Sequence, residues 1–554
     1  MLPYINTPFE PLAGATGASI DELKLISSFL LSYPLAAILK RIPDSQPWKK
    51  NLFIVAASAF YLVGMFDLWD GVRTILYSSI GTYAIAYFVD GSLMPWLGFF
   101  FLMGHMSIGH LYRQWADDPS TIDVTGAQMV LVMKLSAFCW NVHDGRLPSS
   151  ELSSSQKHAA ITELPSALDF AGYVFFFPSL FGGPAFDYND FRRWIDTSMF
   201  EVPPDVDPSK VPPTRKKRKI PRSGTPAAKK AAVGLIWIFM FLQFSGWFYP
   251  EAVVSDDFMA YGFLRRVWTL YMLGVTTRMK YYGVWSLSEG SCILSGLGYN
   301  GFDPKTGRVS WNKLENINPW NVETAQNSHA YLGNWNKNTN HWLRNYVYLR
   351  VTPKGKKPGF RASLATFATS AFWHGFYPGY YLTFILASFI QTAAKKFRRH
   401  VRPFFLTPDG TSPTPYKPYY DFVTWLTTQL VFAYTVMPFV ILGFNDSIRV
   451  WSHVYYYGII SVALSLGFFA SPGGAYLHKR LKERNHPKLQ RSISEESIGQ
   501  PTLGLPNDPG RDIDEAVEEL KGEIEAMKKS GQTVSMPSGE ELKAAIEEKL
   551  GKKL

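Results

Sequence analysis

The 554-residue chain is 47% hydrophobic and 16% aromatic, with 18% charged residues and a net charge of +11. Its mean hydropathy is close to zero because long apolar runs alternate with short, very polar loops, the pattern of a polytopic membrane protein with soluble segments. The cations sit in loops beside apolar runs, which speaks against nucleic acid as the partner. Cys139 and Cys292 lie in apolar surroundings with no CxxC pair, which speaks against a disulfide framework and a zinc site.

In chain order, residues 1–18 lack the basic start and apolar core of a cleavable signal peptide, so the first spans are expected to act as the targeting signal. Apolar runs then cover 25–39, 52–66, 72–89, 93–108, 124–142, 164–186, 231–249, 258–276, 364–392, 422–444 and 450–470. A span needs ~20 residues to cross ~30 Å of hydrocarbon. Several runs are shorter, so some segments are expected to be tilted, kinked or re-entrant. The pattern predicts an all-α polytopic membrane protein with about eleven transmembrane or re-entrant helices. Run 364–392 is too long for one ordinary span. It is interrupted at Pro378-Gly379, where proline removes a helix hydrogen bond and a bend or two half-helices is expected.

Basic clusters mark the side expected to be cytosolic: Lys40, Arg41, Lys49 and Lys50; R-K-K-R-K at 215–219; Lys395, Lys396, Arg398 and Arg399; Lys479, Arg480, Lys482, Arg484 and Lys488. Simple alternation puts some of these on the wrong face, which supports re-entrant segments. The Pro-, Lys- and Arg-rich stretch 202–230 is expected to be a disordered cytosolic loop carrying a juxtamembrane patch for anionic lipid. Residues 299–342 are polar and rich in Asn and Trp; short helices at the membrane face are expected. For Trp335 and Trp342, anchoring at the interface and lining a site are both open. Residues 1–487 form the expected membrane-embedded domain. Residues 488–554 are the expected soluble cytosolic tail, with a linker at 491–509 and an amphipathic helix at 511–529.

One ionisable group, His374, stands inside a long apolar run. Such a group is costly at membrane depth and marks a functional site by default, and imidazole is suited to moving a proton near neutral pH. The alternative is a satisfied histidine packed between helices. His105 and His110, at i and i+5, do not share a helix face for a metal and are read as structural. No G-x-S-x-G turn, metal, flavin or nucleotide motif is present, so direct attack by an acceptor hydroxyl is simpler than a covalent acyl-enzyme.

The string F-W-H-G-F-Y-P-G-Y around His374, preceded by W-N-x5-W-L at 335–343, resembles the membrane-bound O-acyltransferase (MBOAT) family, and within it the fungal lysophospholipid acyltransferases. D-V-T-G-A-Q-M at 123–129, W-N-V-H-D-G at 140–145, G-Y-V-F-F-F-P-S-L-F-G-G-P-A-F at 172–186 and E-G-S-C-I-L-S-G-L-G-Y-N-G at 289–301 fit the same pattern. The resemblance implies a helical bundle around an internal catalytic chamber. It also implies transfer of an acyl chain from acyl-CoA to the free hydroxyl of a lysophospholipid, such as lysophosphatidylcholine, in the endoplasmic reticulum membrane. Acyl-CoA would be a co-substrate; no cofactor, metal or obligatory protein partner is implied.

His374 would be the general base and Asn336 its polar partner. Nearby Asn338 and Asn340 leave that choice open by position, and the W-N-x5-W-L frame selects Asn336; the alternative is that these asparagines cap short helices. Trp335, Trp342, Glu323, Asn327, Asn338, Asn340, Arg344, Trp373 and Tyr377 are candidates to line the substrate site. A sterol or diacylglycerol acyltransferase is a rival, weakened by the missing F-Y-x-D-W-W-N string. A lipid transporter or scramblase is another, weakened by the absence of an internal repeat.

Overall fold

The computed structural model describes residues 4–16, 18–116, 123–204, 206–352, 360–408, 410 and 412–484. The linker and amphipathic helix expected in the tail, together with Lys488, lie outside these residues. Regular structure among the described residues is helical, joined by turns and three isolated β-bridges.

The first long helix, Ile20–Leu39, starts at a capping box. Ser19 Oγ accepts from the Glu22 amide at 3.1 Å, and Glu22 Oε2 accepts from the Ser19 amide at 3.2 Å, which satisfies two donors that a bare helix start would leave open. Among the described residues three helices are long and apolar enough to cross a membrane: Ile20–Leu39, Gly224–Ser245 and Lys417–Ile441. Phe444–His453 and Tyr457–Ala470 together qualify as a broken span, bent by 77°.

The other apolar runs do not map one-to-one onto such spans. Run 258–276 is absorbed into a 33-residue helix, Phe263–Ser295. Run 164–186 breaks into the short helix Ala167–Val174, a turn at Phe177–Ser179 and an irregular Gly182-Gly183-Pro184 segment. Pro178 and Pro184 lack the N–H a continuous helix needs.

Gly224–Ser245 and Phe263–Ser295 pack side by side through glycine. A Cβ on Gly283 would sit 2.6 Å from Ile238, and one on Gly234 would sit 2.8 Å from Leu287. Small residues let backbones approach where lipid offers no hydrophobic drive for helix pairing. A second centre of packing is aromatic. Tyr173, Phe176, Phe186, Tyr188, Phe191 and Trp194 interlock mostly edge to face, around the buried Lys134, whose Nζ lies 4.4 Å from the Tyr173 ring centre and 4.5 Å from that of Phe186.

The stretch 202–230, expected to be disordered, is folded where it is described. Pro208–Lys210 forms a 3-10 turn, Thr214 bridges to Pro221, and a helix starts at Gly224. Arg218 Nη2 donates to Arg41 O at 2.8 Å, the Lys219 amide to Asp44 Oδ2 at 3.1 Å, and Lys40 Nζ to Ser223 Oγ at 2.7 Å. Composition predicts disorder for such a stretch. It does not register that the earlier turn supplies Arg41 O for the Arg218 guanidinium and Asp44 for the Lys219 backbone amide.

Candidate active site

The helix Phe360–His374 ends at His374. Gly375 follows in the left-handed region at φ +119. Tyr377 is extended, and Pro378 occupies the first turn of the next helix, Pro378–His400. The break expected from Pro378 is therefore present, and it sets His374 at a helix end rather than along a helix side. The turn is fixed from outside. The Gly379 amide donates to Leu442 O at 2.9 Å, and a Cβ on Gly379 would fall 1.9 Å from Pro438 O. That close approach brings Phe439 against His374.

His374 lines a cavity of about 820 Å³. Its ring lies 4.9 Å from Phe439 edge-on, 5.4 Å from Phe384 nearly parallel and 5.6 Å from Tyr380. Among the described residues its ring nitrogens have no hydrogen-bond partner. The imidazole is thus steered by aromatic packing while both nitrogens stay available for a ligand.

The asparagines come from the short helix Lys337–Leu343 and the residue before it. Asn336 is in the left-handed conformation at φ +46, and its side chain does not cap the helix. Its Oδ1 instead accepts from the Thr339 hydroxyl at 2.9 Å. With the oxygen so engaged, the amide nitrogen is left to donate elsewhere. Asn338 is held by Asn316, whose Oδ1 accepts from the Asn338 amide at 3.1 Å and from its Nδ2 at 3.0 Å. Asn340 Nδ2 donates to Leu332 O at 2.7 Å and Trp335 O at 2.8 Å. All three line the cavity. Asn338 and Asn340 are already bound to the protein, whereas the Asn336 amide nitrogen is not. Lys337 pairs with Glu315, and Lys230 reaches Glu289 at 2.8 Å.

Trp335, Trp373 and Tyr377 also line the cavity. Trp335 wedges against Tyr281, Tyr282 and Trp285 of the long helix at 5.6, 5.9 and 5.1 Å. Trp373 Nε1 donates to Met129 O at 3.0 Å. Trp342, Glu323, Asn327 and Arg344, also candidates to line the substrate site, stand outside the residues that line this cavity. Trp342 is buried with its Nε1 on Ser136 Oγ at 2.8 Å, behind Trp373. Glu323 accepts from Arg278 twice at 2.8 Å and from the Tyr282 hydroxyl at 2.6 Å, so it neutralises a cation that does line the cavity. Asn327 caps Ser328–Gly333 by accepting from the Ala330 amide at 2.9 Å. Arg344 starts a π-helical turn just past the lining residue Leu343. Each lies in a polar string, and sequence alone does not separate a polar group that meets ligand from one that completes the scaffold.

Sequence reasoning read His110 as structural and did not single out Arg113, Asn316, Tyr281, Tyr380 and Phe439; all six line the cavity. His110 and Arg113 are three apart on the helix Leu93–Ala116, and that i, i+3 spacing was the available signal that they share a face. Among the described residues no group of three His, Cys, Asp or Glu side chains forms a metal site.

Residues 95–437 match MBOAT, the membrane-bound O-acyltransferase family. The matched stretch contains His110, the asparagines and His374. The chain belongs to the membrane-bound O-acyltransferase family. It is 45% identical over 491 residues to the lysophospholipid acyltransferase of Schizosaccharomyces pombe, covering 88% of this chain and 94% of that protein. It is 43% identical over 510 residues to the lysophospholipid acyltransferase of Saccharomyces cerevisiae, covering 88% and 81%. Similarity extends to membrane-bound glycerophospholipid O-acyltransferase 1 of Homo sapiens, 29% identical over 494 residues, covering 87% and 95%. Membership makes this MBOAT chain a membrane-integral protein, as its apolar helices require.

Proposed function

We propose that this MBOAT protein transfers an acyl chain from acyl-CoA to the free glycerol hydroxyl of a lysophospholipid, regenerating a diacyl phospholipid. The observation that carries the reading is an imidazole without a hydrogen-bond partner and a free asparagine amide nitrogen in one largely apolar cavity. The names of the fungal relatives support the substrate class. His374 takes the proton of the acceptor hydroxyl as that oxygen attacks the thioester carbonyl carbon. The developing oxyanion receives a hydrogen bond from Asn336 Nδ2. Collapse of the tetrahedral species breaks the C–S bond, and the departing CoA thiolate takes the proton back from the imidazolium. The aromatic lining keeps out the water that would hydrolyse the thioester.

Acyl-CoA is a co-substrate in this scheme and no cofactor is called for. Lysophosphatidylcholine and related headgroups are the proposed acceptors, the endoplasmic reticulum membrane the proposed location, and the basic clusters the cytosolic side from which CoA arrives. About eleven transmembrane or re-entrant segments remain the proposed topology. Purified protein given radiolabelled acyl-CoA and a panel of lysolipids, diacylglycerol and ergosterol should yield labelled diacyl phospholipid. Steryl ester or triacylglycerol as the main product would overturn the assignment.

A further inference from the structure

We propose that His110 is a positioning residue: it holds the Trp373 carbonyl so that the helix end presents His374 to the cavity at a fixed angle. The inference rests on His374 being the base.

The last four carbonyls of a helix have no intrahelical donor. In Phe360–His374, Phe372 O is served by the Gly375 amide at 3.1 Å. Trp373 O would be served by the amide of residue 377 if the helix continued. It does not continue, because Tyr377 is extended at φ −63, ψ 130 ahead of Pro378. The missing donor comes from another part of the chain. His110 Nε2 donates to Trp373 O at 3.1 Å, across 263 positions in sequence.

The contact is a buried seat rather than a surface bond. His110 is 7% exposed, and Gly375 lies against its ring so closely that a Cβ there would stand 3.2 Å from Nδ1. One imidazole therefore braces the carbonyl before His374 and the glycine after it. The donated bond uses the Nε2 proton, so His110 cannot pass that proton on without releasing the carbonyl. A base held at one helix end, with aromatic neighbours and no hydrogen bond of its own, depends on this brace for its aim.

The test separates bracing from proton transfer. A glutamine amide nitrogen reaches about as far as Nε2 but does not titrate; an asparagine amide reaches only about as far as Nδ1. In the purified full-length protein, His110→Leu should lower kcat about 10²-fold, the scale of a small misplacement of reacting groups. KM for acyl-CoA and lysolipid should stay within about two-fold of wild type, since the lost bond is to the Trp373 carbonyl and not to substrate. His110→Gln should recover most of kcat with an unchanged pH profile, and His110→Asn should remain impaired. Glutamine as inactive as asparagine would overturn the proposal in favour of a proton carrier, as would a shifted pH limb in the glutamine variant. A changed KM with unchanged kcat would mean substrate contact instead. Should His110→Leu fail to fold, the glutamine–asparagine contrast still decides. Wild-type turnover and a dead His374→Ala control in the same assay show that the underlying reading stands whichever way His110 falls.

Discussion

Around His374 the cavity is built from rings: Tyr380, Phe384 and Phe439 pack on the imidazole and offer it no hydrogen bond. Around Asn336 it is built from amides, with Asn338 tied to Asn316, Asn340 tied to Leu332 and Trp335, and Asn336 itself oriented by Thr339. The base is positioned by shape, so its nitrogens stay unspent. The amides are positioned by hydrogen bonds, so of the nitrogens of Asn336, Asn338 and Asn340 that of Asn336 alone is unspent among the described residues. A group that must gain and lose a proton is best left without competing partners, whereas a group that must stabilise charge is best fixed before charge appears.

The strongest way to break this contrast is His374→Ala. Loss of the base should lower kcat by about 10³-fold or more while the purified protein still inserts in membranes and elutes as one species, because the ring makes no structural hydrogen bond. Near-normal turnover would remove the histidine from the chemistry. Asn336→Ala should cost about 10²-fold in kcat, the scale of one oxyanion donor. A wild-type rate would move the role to a neighbouring asparagine.

Asn340→Ala sharpens the contrast from the other side. It frees two backbone carbonyls and should lower stability by about 1–3 kcal/mol, read as a fall in Tm, with a smaller loss of kcat than Asn336→Ala. If kcat falls further than in Asn336→Ala, the bound amide is chemical and the division between spent and unspent groups fails. The smallest effect belongs to deletion of residues 499–554, which should leave specific activity within about two-fold, because that stretch has no apolar run long enough to reach a membrane-buried site. A well-folded truncation with little activity would show that the tail completes the site.

What could be read from the sequence follows from the range of each interaction. The break before Pro378 was legible because proline acts on its own helix. His374 stood out because an ionisable group in an apolar run is rare. His110 was not legible as a brace, since its partner is a carbonyl 263 positions away and no local pattern encodes that meeting. Glu323, Asn327 and Arg344 could not be told apart from lining residues for the opposite reason. Their strings are polar and close to Asn336, but Glu323 serves Arg278 and Asn327 serves a helix start. The order in 206–226 was hidden because its partners, Asp44 and Arg41 O, sit in an earlier turn.

The helix Phe263–Ser295 gives the molecule a ruler. Its 33 residues span ~50 Å at 1.5 Å per residue, well beyond ~30 Å of hydrocarbon. It carries Arg278, neutralised by Glu323, and Glu289, paired with Lys230, about three turns or ~16 Å apart. The two ion pairs tether the rod to the rest of the protein at both points, and Trp285 between them ties its position to Trp335 beside the asparagines. Any displacement of the rod is therefore passed to the cavity lining through the contact of Trp285 with Trp335.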